Sequence, residues 1–307
     1  MPPKPSNAPT HSKRFGEDYG DFVMQSSDNV LFHFPKGLLQ YASPFFKDLL
    51  SIGMHAETVS SVENSQPLVM EEDSVTLDNL LCWIDPSHVG PTIDSAMIVQ
   101  FLRAGHKYQV DSIVAWFARE AAAREESTCL VNAHRSFLST DPLLALSLAE
   151  HYDLPGLARL ALRRAILEPT DVVLAHDAQI SGKMLLHLLH LRRKRTQWFL
   201  ERIDRIDRSR RGPQGTMCTH CHSCLTTWTR KVNDAPSWAS LENEIPSISQ
   251  GCRYHHLVGP YPPTSSHTLS KDLESWERDA RRLEQELPEL PKRIFRSKNT
   301  TALLKTN

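Results

Sequence analysis

The chain has 307 residues, of which 40% are hydrophobic and 23% are charged, and its formal net charge is −1. This is an ordinary globular composition with room for about two domains, and the near-neutral charge argues against nucleic-acid or membrane binding driven by the charge of the whole protein. No apolar run reaches the roughly 18 residues of a membrane-spanning helix, and the polar N-terminal segment has no secretory h-region. We therefore expect an intracellular protein, in the cytoplasm or the nucleus, whose six cysteines are thiols or metal ligands rather than disulfides.

The N-terminal part of the chain predicts a short tail and then a β-hairpin. Residues 1–17 are polar and rich in proline, which is typical of a disordered tail. Apolar residues then alternate at Val23, Val30, Phe32 and Phe34, as half-buried strands require. The intervening segment Ser26–Asn29 has the composition of a turn. This alternation predicts two antiparallel strands.

The residues after the hairpin predict helices around a small sheet. Pro35 ends the second strand, and Ser43–Pro44 has the form of a helix N-cap followed by proline in the first turn. A third short strand is expected at 68–70. Apolar residues recur at helical spacing over 36–50, 75–84, 94–108 and 110–124. Residues 18–125 are therefore expected to form an α+β domain with a three-stranded sheet.

Beyond this domain the sequence predicts three further segments. Residues 126–211 lack strand signals, and helix-start signals recur, as at Asp141–Pro142. We expect an all-helical domain there. Residues 212–263 are rich in Cys, His, Trp, Gly and Pro, and residues 264–307 are expected to form a charged helix and a tail.

Two motifs stand out within residues 19–124: Ala42–Phe46 reads A-S-P-F-F, and Ala104–Val110 reads A-G-H-K-Y-Q-V. The first resembles a motif of the BTB/POZ domains abundant in fungi, and the second is similar to the end of that family's A-x-K-Y helix. The acidic residues after Val69 and the leucines that follow match the next strand and helix. The resemblance implies a protein–protein interaction module without enzymatic activity, often a dimer or an adaptor for cullin-type ubiquitin ligases.

Two departures from the family pattern leave homodimerisation and cullin binding open. Pro35–Lys36 stands where the family has His-Lys. No helix or strand can be recognised before residue 18, so the N-terminal element that many BTB dimers exchange is expected to be missing. The identity of the protein partner therefore cannot be assigned from the resemblance.

A possible metal site lies in the Cys/His-rich segment. Zinc favours four thiolate or imidazole ligands, and C-x-x-C presents two thiolates to one ion. The predicted set is Cys218, Cys221, Cys252 and His255; alternative ligands are Cys224, His220, His222 and His256. The segment has few aliphatic residues, so a structural zinc could supply folding free energy that a core would otherwise provide. Surface thiols and histidines without a metal remain the alternative.

The segment Arg192–Arg195 is a run of four basic residues, Arg192, Arg193, Lys194 and Arg195. It could bind phosphate, but interleaved acidic residues favour a solvated helix face. Together with the predicted zinc site, the run allows a second hypothesis, a zinc-dependent nucleic-acid-binding or regulatory factor. The nucleotide-binding and hydrolase motifs GxxxxGK[ST], GxGxxG, HExxH and GxSxG are missing, so we predict no enzyme.

Overall fold

A small sheet surrounded by helices forms the N-terminal part of the molecule. The computed structural model describes residues 9–56, 66–88, 97–126, 137–177, 179–210, 219–242, 265–291 and 295. The chain divides into two compact units, Met1–Glu120 and Ala121–Asn307. Within the described residues, none of the helices is long and apolar enough to cross a membrane.

The first unit contains all of the described strands. The strands are β1 (Thr10–His11), β2 (Phe22–Gln25), β3 (Val30–Phe34) and β4 (Leu68–Val69), and the helices are α1 (Lys36–Ala42), α2 (Pro44–Ala56), α3 (Ser74–Ile84) and α4 (Ile98–Lys107). Helix α5 (Asp111–Glu126) begins in this unit and extends past its last residue, Glu120. The sheet order is β1-β3-β2-β4. Strands β2 and β3 pair antiparallel, whereas β1 pairs parallel with β3 and β4 pairs parallel with β2.

The predicted hairpin is confirmed. Asn29 lies in the turn at a φ of 70°, a conformation that asparagine tolerates better than most residues. The N–H of Ser26 donates to the carbonyl of Val30 at 2.9 Å and closes the turn. Alternation along the strands buries Met24, Phe32 and Phe34 in the core.

The expected three-stranded sheet has a fourth strand, and ordered structure begins earlier than the expected tail allows. Strand β1 lies within residues 1–17, and Phe15 is fully buried. A two-residue strand has no alternation pattern that sequence reasoning can detect. Residues 1–8 lie outside the described part of the chain.

The second unit is helical in its described residues, as expected for 126–211 and for the charged helix within 264–307, whereas no helix was expected in 212–263. Its helices are α6 (Phe137–Thr140), α7 (Pro142–His151), α8 (Pro155–Ala165), α9 (Thr170–Ala175), α10 (Gly182–Arg210), α11 (Thr219–Asp234), α12 (Ala239–Glu242) and α13 (Ser265–Gln285). The predicted start of α7 is confirmed, because the Asp141 carboxylate accepts the N–H of Leu144 at 2.8 Å.

The Cys/His-rich segment shares a core with its neighbours, contrary to the expectation that it lacks one. Trp228 of α11 and Trp238 pack with Phe199 of α10 and Trp276 of α13 in one buried cluster. The ring centroids of Trp228 and Trp276 are 5.7 Å apart. The apolar residues that complete this core lie far away in sequence, so the few aliphatic residues of the segment do not argue for a zinc in its described part, 219–242.

Candidate protein-interaction surface

The A-S-P-F-F motif connects α1 to α2 and packs against the end of α4 in the first unit. Ser43 is fully buried between α1 and α2. Its hydroxyl donates to the carbonyl of Tyr108 and accepts the N–H of Phe46 at 3.1 Å. The Phe46 ring stacks on the Tyr108 ring with centroids 5.3 Å apart. The motif therefore fixes the start of α2 against the end of α4, and its role is in the fold rather than in chemistry.

A charged network ties the end of α4 to the segment after β4. The Lys107 ammonium lies 2.8 Å from a carboxylate oxygen of Glu71 and 2.9 Å from one of Glu72. The Tyr108 hydroxyl donates to Glu72. Burial opposes the charge on Lys107, but the hydrogen bonds to Glu71 and Glu72 outweigh it and raise its pKa. Burial, and then the Glu72 carboxylate, raise the pKa of Tyr108.

We expect this network to make the first unit less stable at alkaline pH. Lys107 and Tyr108 both have pKa values that are raised in the folded state. Their contribution is complete below the unfolded-state pKa values and is lost as the pH rises above about 10, because the unfolded chain then releases protons that the folded chain keeps. Chemical unfolding measured between pH 8 and 11 should show this loss, and Tyr108→Phe should make it less steep. An unchanged slope in Tyr108→Phe would contradict the assignment.

The N-terminal segment is held by contacts that sequence reasoning missed. The His11 ring stacks on His33 of β3 with centroids 5.4 Å apart. The Tyr19 hydroxyl donates to Asp85 and lies 2.9 Å from Nε2 of His88. Burial opposes ionisation of Asp85, but hydrogen bonds, led by that from Tyr19, hold its pKa below the ordinary value. Residues 9–19 are therefore part of the domain, although only the aromatic pair Phe15 and Tyr19 signals this in the sequence.

Among the described residues of the first unit, four large apolar side chains are exposed to solvent. Tyr41 of α1 is 92% exposed, Ile52 of α2 and Val69 of β4 are each 71% exposed, and Val75 of α3 is 55% exposed. Tyr41, Ile52 and Val75 lie on helices whose other side chains supply the core, and Val69 lies on β4 at the edge of the sheet. Exposed apolar groups on a well-packed domain are candidates for contact with another protein. These four residues are the candidate interaction surface.

The basic run Arg192–Arg195 is divided by the structure between the interior and the surface. Arg192 and Arg195 are 6% and 8% exposed, whereas Arg193 and Lys194 are exposed. One guanidinium nitrogen of Arg192 donates to the carbonyl of Ile166 at 3.0 Å, and the other donates to that of Asp234 at 2.8 Å. The predicted basic patch is therefore wrong for Arg192 and Arg195, which are buried and bind main-chain carbonyls.

The predicted zinc ligands are only partly described by the structure. Cys218, Cys252, His255 and His256 lie outside the described residues, and His220 and Cys221 are described in their backbone alone, in the first turn of α11. His222 is exposed on the same helix, and Cys224 is partly buried against the aromatic cluster. Within the described part of the chain, no three or more His, Cys, Asp or Glu side chains are grouped so that they could hold a metal ion.

Zinc binding therefore stays a prediction, and metal analysis of the purified chain tests it. The four-ligand set predicts about one zinc per chain. Cys218→Ser combined with Cys252→Ser should lose the metal, whereas Cys82→Ser should keep it, because Cys82 is a buried helical residue of the first unit. A content below about 0.2 zinc per chain would remove the hypothesis.

The comparisons with known proteins identify the first unit. A family model described as the BTB/POZ domain matches residues 11–121. The match starts at His11, the last residue of β1, and ends in α5. No curated protein matches the chain. BTB/POZ domains are protein–protein interaction modules and are generally not enzymes. Residues 11–121 are therefore a BTB/POZ domain, a module through which proteins bind other proteins.

Proposed function

We propose that the chain is a non-enzymatic adaptor that recruits a protein partner through its BTB/POZ domain. The observation that carries the proposal is the match of residues 11–121 to the family model of the BTB/POZ domain, which is a protein–protein interaction module. The packing supports it, because a complete core leaves Tyr41 and Ile52 exposed on adjoining helices. Exposed aromatic and aliphatic side chains are the groups that most often supply binding energy in protein interfaces.

A second copy of the chain and a cullin-type protein are the two partners that we propose to test first. The sequence left homodimerisation open, in part because no N-terminal element was visible. Strand β1 removes that objection, since it pairs with β3 at Thr10↔Val30 and His11↔Leu31. Light scattering on the purified chain measures the mass in solution, and a monomer at all concentrations would exclude a stable homodimer.

Affinity purification with mass spectrometry tests recruitment. The bait is the full chain, and the variant is Tyr41→Ser combined with Ile52→Ser. Leu174→Ser is the matched control, because Leu174 is an exposed apolar residue of α9 in the other unit. Recovery of a specific partner should fall roughly tenfold with the double variant, as the loss of an interface contact of about 1.4 kcal/mol predicts. The same loss with Leu174→Ser, or none with the double variant, would exclude this surface.

A further inference from the structure

The solvent-facing side of α10 changes in character along the helix. In the first half, Leu186 is 70% exposed and Leu189 is 37% exposed. In the second half, charged residues such as Glu201 and Asp204 are exposed instead. The opposite side of the first half is also apolar, and its Met184 is fully buried. A surface helix usually has one apolar side and one polar side, so the first half of α10 carries a second apolar side that its own core does not use.

The two exposed leucines belong to a row of four exposed side chains that we name the α10 stripe: Leu186, Leu189, His190 and Arg193. Their positions are i, i+3, i+4 and i+7, so they follow one another along one side of the helix. His187 lies beside this row and is not part of it, because its Nε2 donates to the carbonyl of Glu289 at 2.7 Å. The stripe is therefore a continuous surface about two turns long.

The charge around the α10 stripe is positive. Lys183 lies one turn before Leu186, Lys194 follows Arg193, and these three cations are exposed. The sequence from residue 178 to residue 200 contains no aspartate or glutamate. Among the described residues, no acidic side chain forms an ion pair with Arg193 or Lys194. Leucines with cationic neighbours are complementary to a surface that presents apolar groups between carboxylates.

The shape of the stripe suits a helix of a partner better than a membrane surface. The spacing i, i+3, i+4 and i+7 is the one through which helices recognise each other's apolar sides. A helix that lies on a membrane needs a broad apolar side with large apolar residues along its length. Here the exposed apolar part ends at Leu189, and His190 and Arg193 continue the same side of α10.

We propose that the α10 stripe binds an acidic amphipathic helix of another protein. Apolar residues of that helix cover Leu186 and Leu189, and its aspartates and glutamates pair with Lys183, Arg193 and Lys194. The stripe lies in the helical unit, outside the family match at 11–121. This binding therefore does not depend on recruitment through the BTB/POZ domain.

The test uses a fluorescent helical peptide, LEELLKELEELLKELEELLKE, and the full-length chain. The peptide has leucines at the spacing of the stripe and a net negative charge. Fluorescence anisotropy should show saturable binding below about 100 μM peptide, and the affinity should fall as the salt concentration rises. The charge-reversed peptide LKKLLEKLKKLLEKLKKLLEK keeps the leucines and should not bind. Equal binding of the two peptides, or binding of neither, would overturn the proposal.

Two pairs of charge substitutions on α10 locate the site. Arg193→Gln combined with Lys194→Gln should weaken binding of the acidic peptide roughly tenfold at low salt and less at high salt. The matched control, Arg205→Gln combined with Arg208→Gln, removes the same charge from exposed positions in the second half of the helix. It should change the affinity by less than about twofold. Equal losses in the two pairs would mean unspecific attraction and would contradict the proposed site.

A leucine variant separates a partner helix from other molecules that could cover the stripe. Leu186→Gln combined with Leu189→Gln should weaken peptide binding roughly tenfold and leave the melting temperature unchanged. A lower melting temperature would mean that these leucines pack within the chain. A dimer that only the unmodified chain forms would assign the stripe to a second copy. Sedimentation with phosphatidylserine vesicles that only the unmodified chain shows would assign it to a membrane. Each of these three results would overturn the proposal.

Discussion

Replacing Gly20 by alanine is expected to destabilise the BTB/POZ domain by about 3 kcal/mol, the upper range for inserting a group where there is no space. A Cβ at position 20 would lie 2.1 Å from the carbonyl carbon of Phe34 and 2.4 Å from the nitrogen of Pro35. These are backbone atoms at the end of β3, so no side chain can rotate away to relieve the contact. The substitution must separate the N-terminal segment from the β3–α1 junction.

This separation should be visible beyond the site of the change. The Asp21 carboxylate accepts the N–H of Lys36 at 2.9 Å, and Tyr19 reaches Asp85 from the same segment. Hydrogen-exchange mass spectrometry of Gly20→Ala should therefore show faster exchange in β1, β3 and the start of α1. The helical unit should be unchanged, because it is a separate compact unit.

Gly37→Ala is the matched control within the same domain. A Cβ at Gly37 would meet nothing within 4 Å, and the position is helical. Alanine there should stabilise the domain by about 0.5 kcal/mol, because it loses less backbone entropy on folding than glycine does. If Gly20→Ala and Gly37→Ala gave the same melting temperature, the close approach at Gly20 would be refuted.

Sequence patterns predicted the parts of the fold in which local periodicity and packing agree. The alternation of Phe32 and Phe34 specified β3, and the Asp141–Pro142 signal specified the start of α7. The A-S-P-F-F motif identified the family correctly for residues 11–121. For β3 the buried face follows directly from the spacing of apolar residues along the strand.

The features that the sequence did not predict depend on contacts between residues that are far apart along the chain. Strand β1 has only two residues, and its pairing is with β3 rather than with a neighbouring hairpin strand. The core of the Cys/His-rich segment uses Phe199 and Trp276, which lie on helices before and after it. The exposed Tyr41 of the candidate surface was assigned no role, because a helical pattern distinguishes faces but not which exposed residue meets a partner.

Arg192 shows the same difficulty for charge, because the sequence of the basic run gave no sign that its first and last members, Arg192 and Arg195, are buried. Burial lowers the pKa of the Arg192 guanidinium. The negative charges of Asp234 and Glu168 act in the opposite direction and limit this decrease. The carbonyls it satisfies come from the end of α8 and the end of α11, and its Nη2 also donates to Thr170 of α9 at 3.0 Å. One side chain therefore joins three helices to α10.

Arg192→Met should destabilise the helical unit by about 3 kcal/mol, because it leaves buried carbonyl groups without donors. Arg193→Met is the neighbouring control; Arg193 is exposed, so the change should stay within about 0.5 kcal/mol. Arg192→Lys should fall between them, since one ammonium cannot replace both ends of the guanidinium fork. Urea unfolding of the three variants measures their free energies of unfolding and so tests this order of stability. Equal stability of Arg192→Met and Arg193→Met would show that the run is a solvated helix face after all.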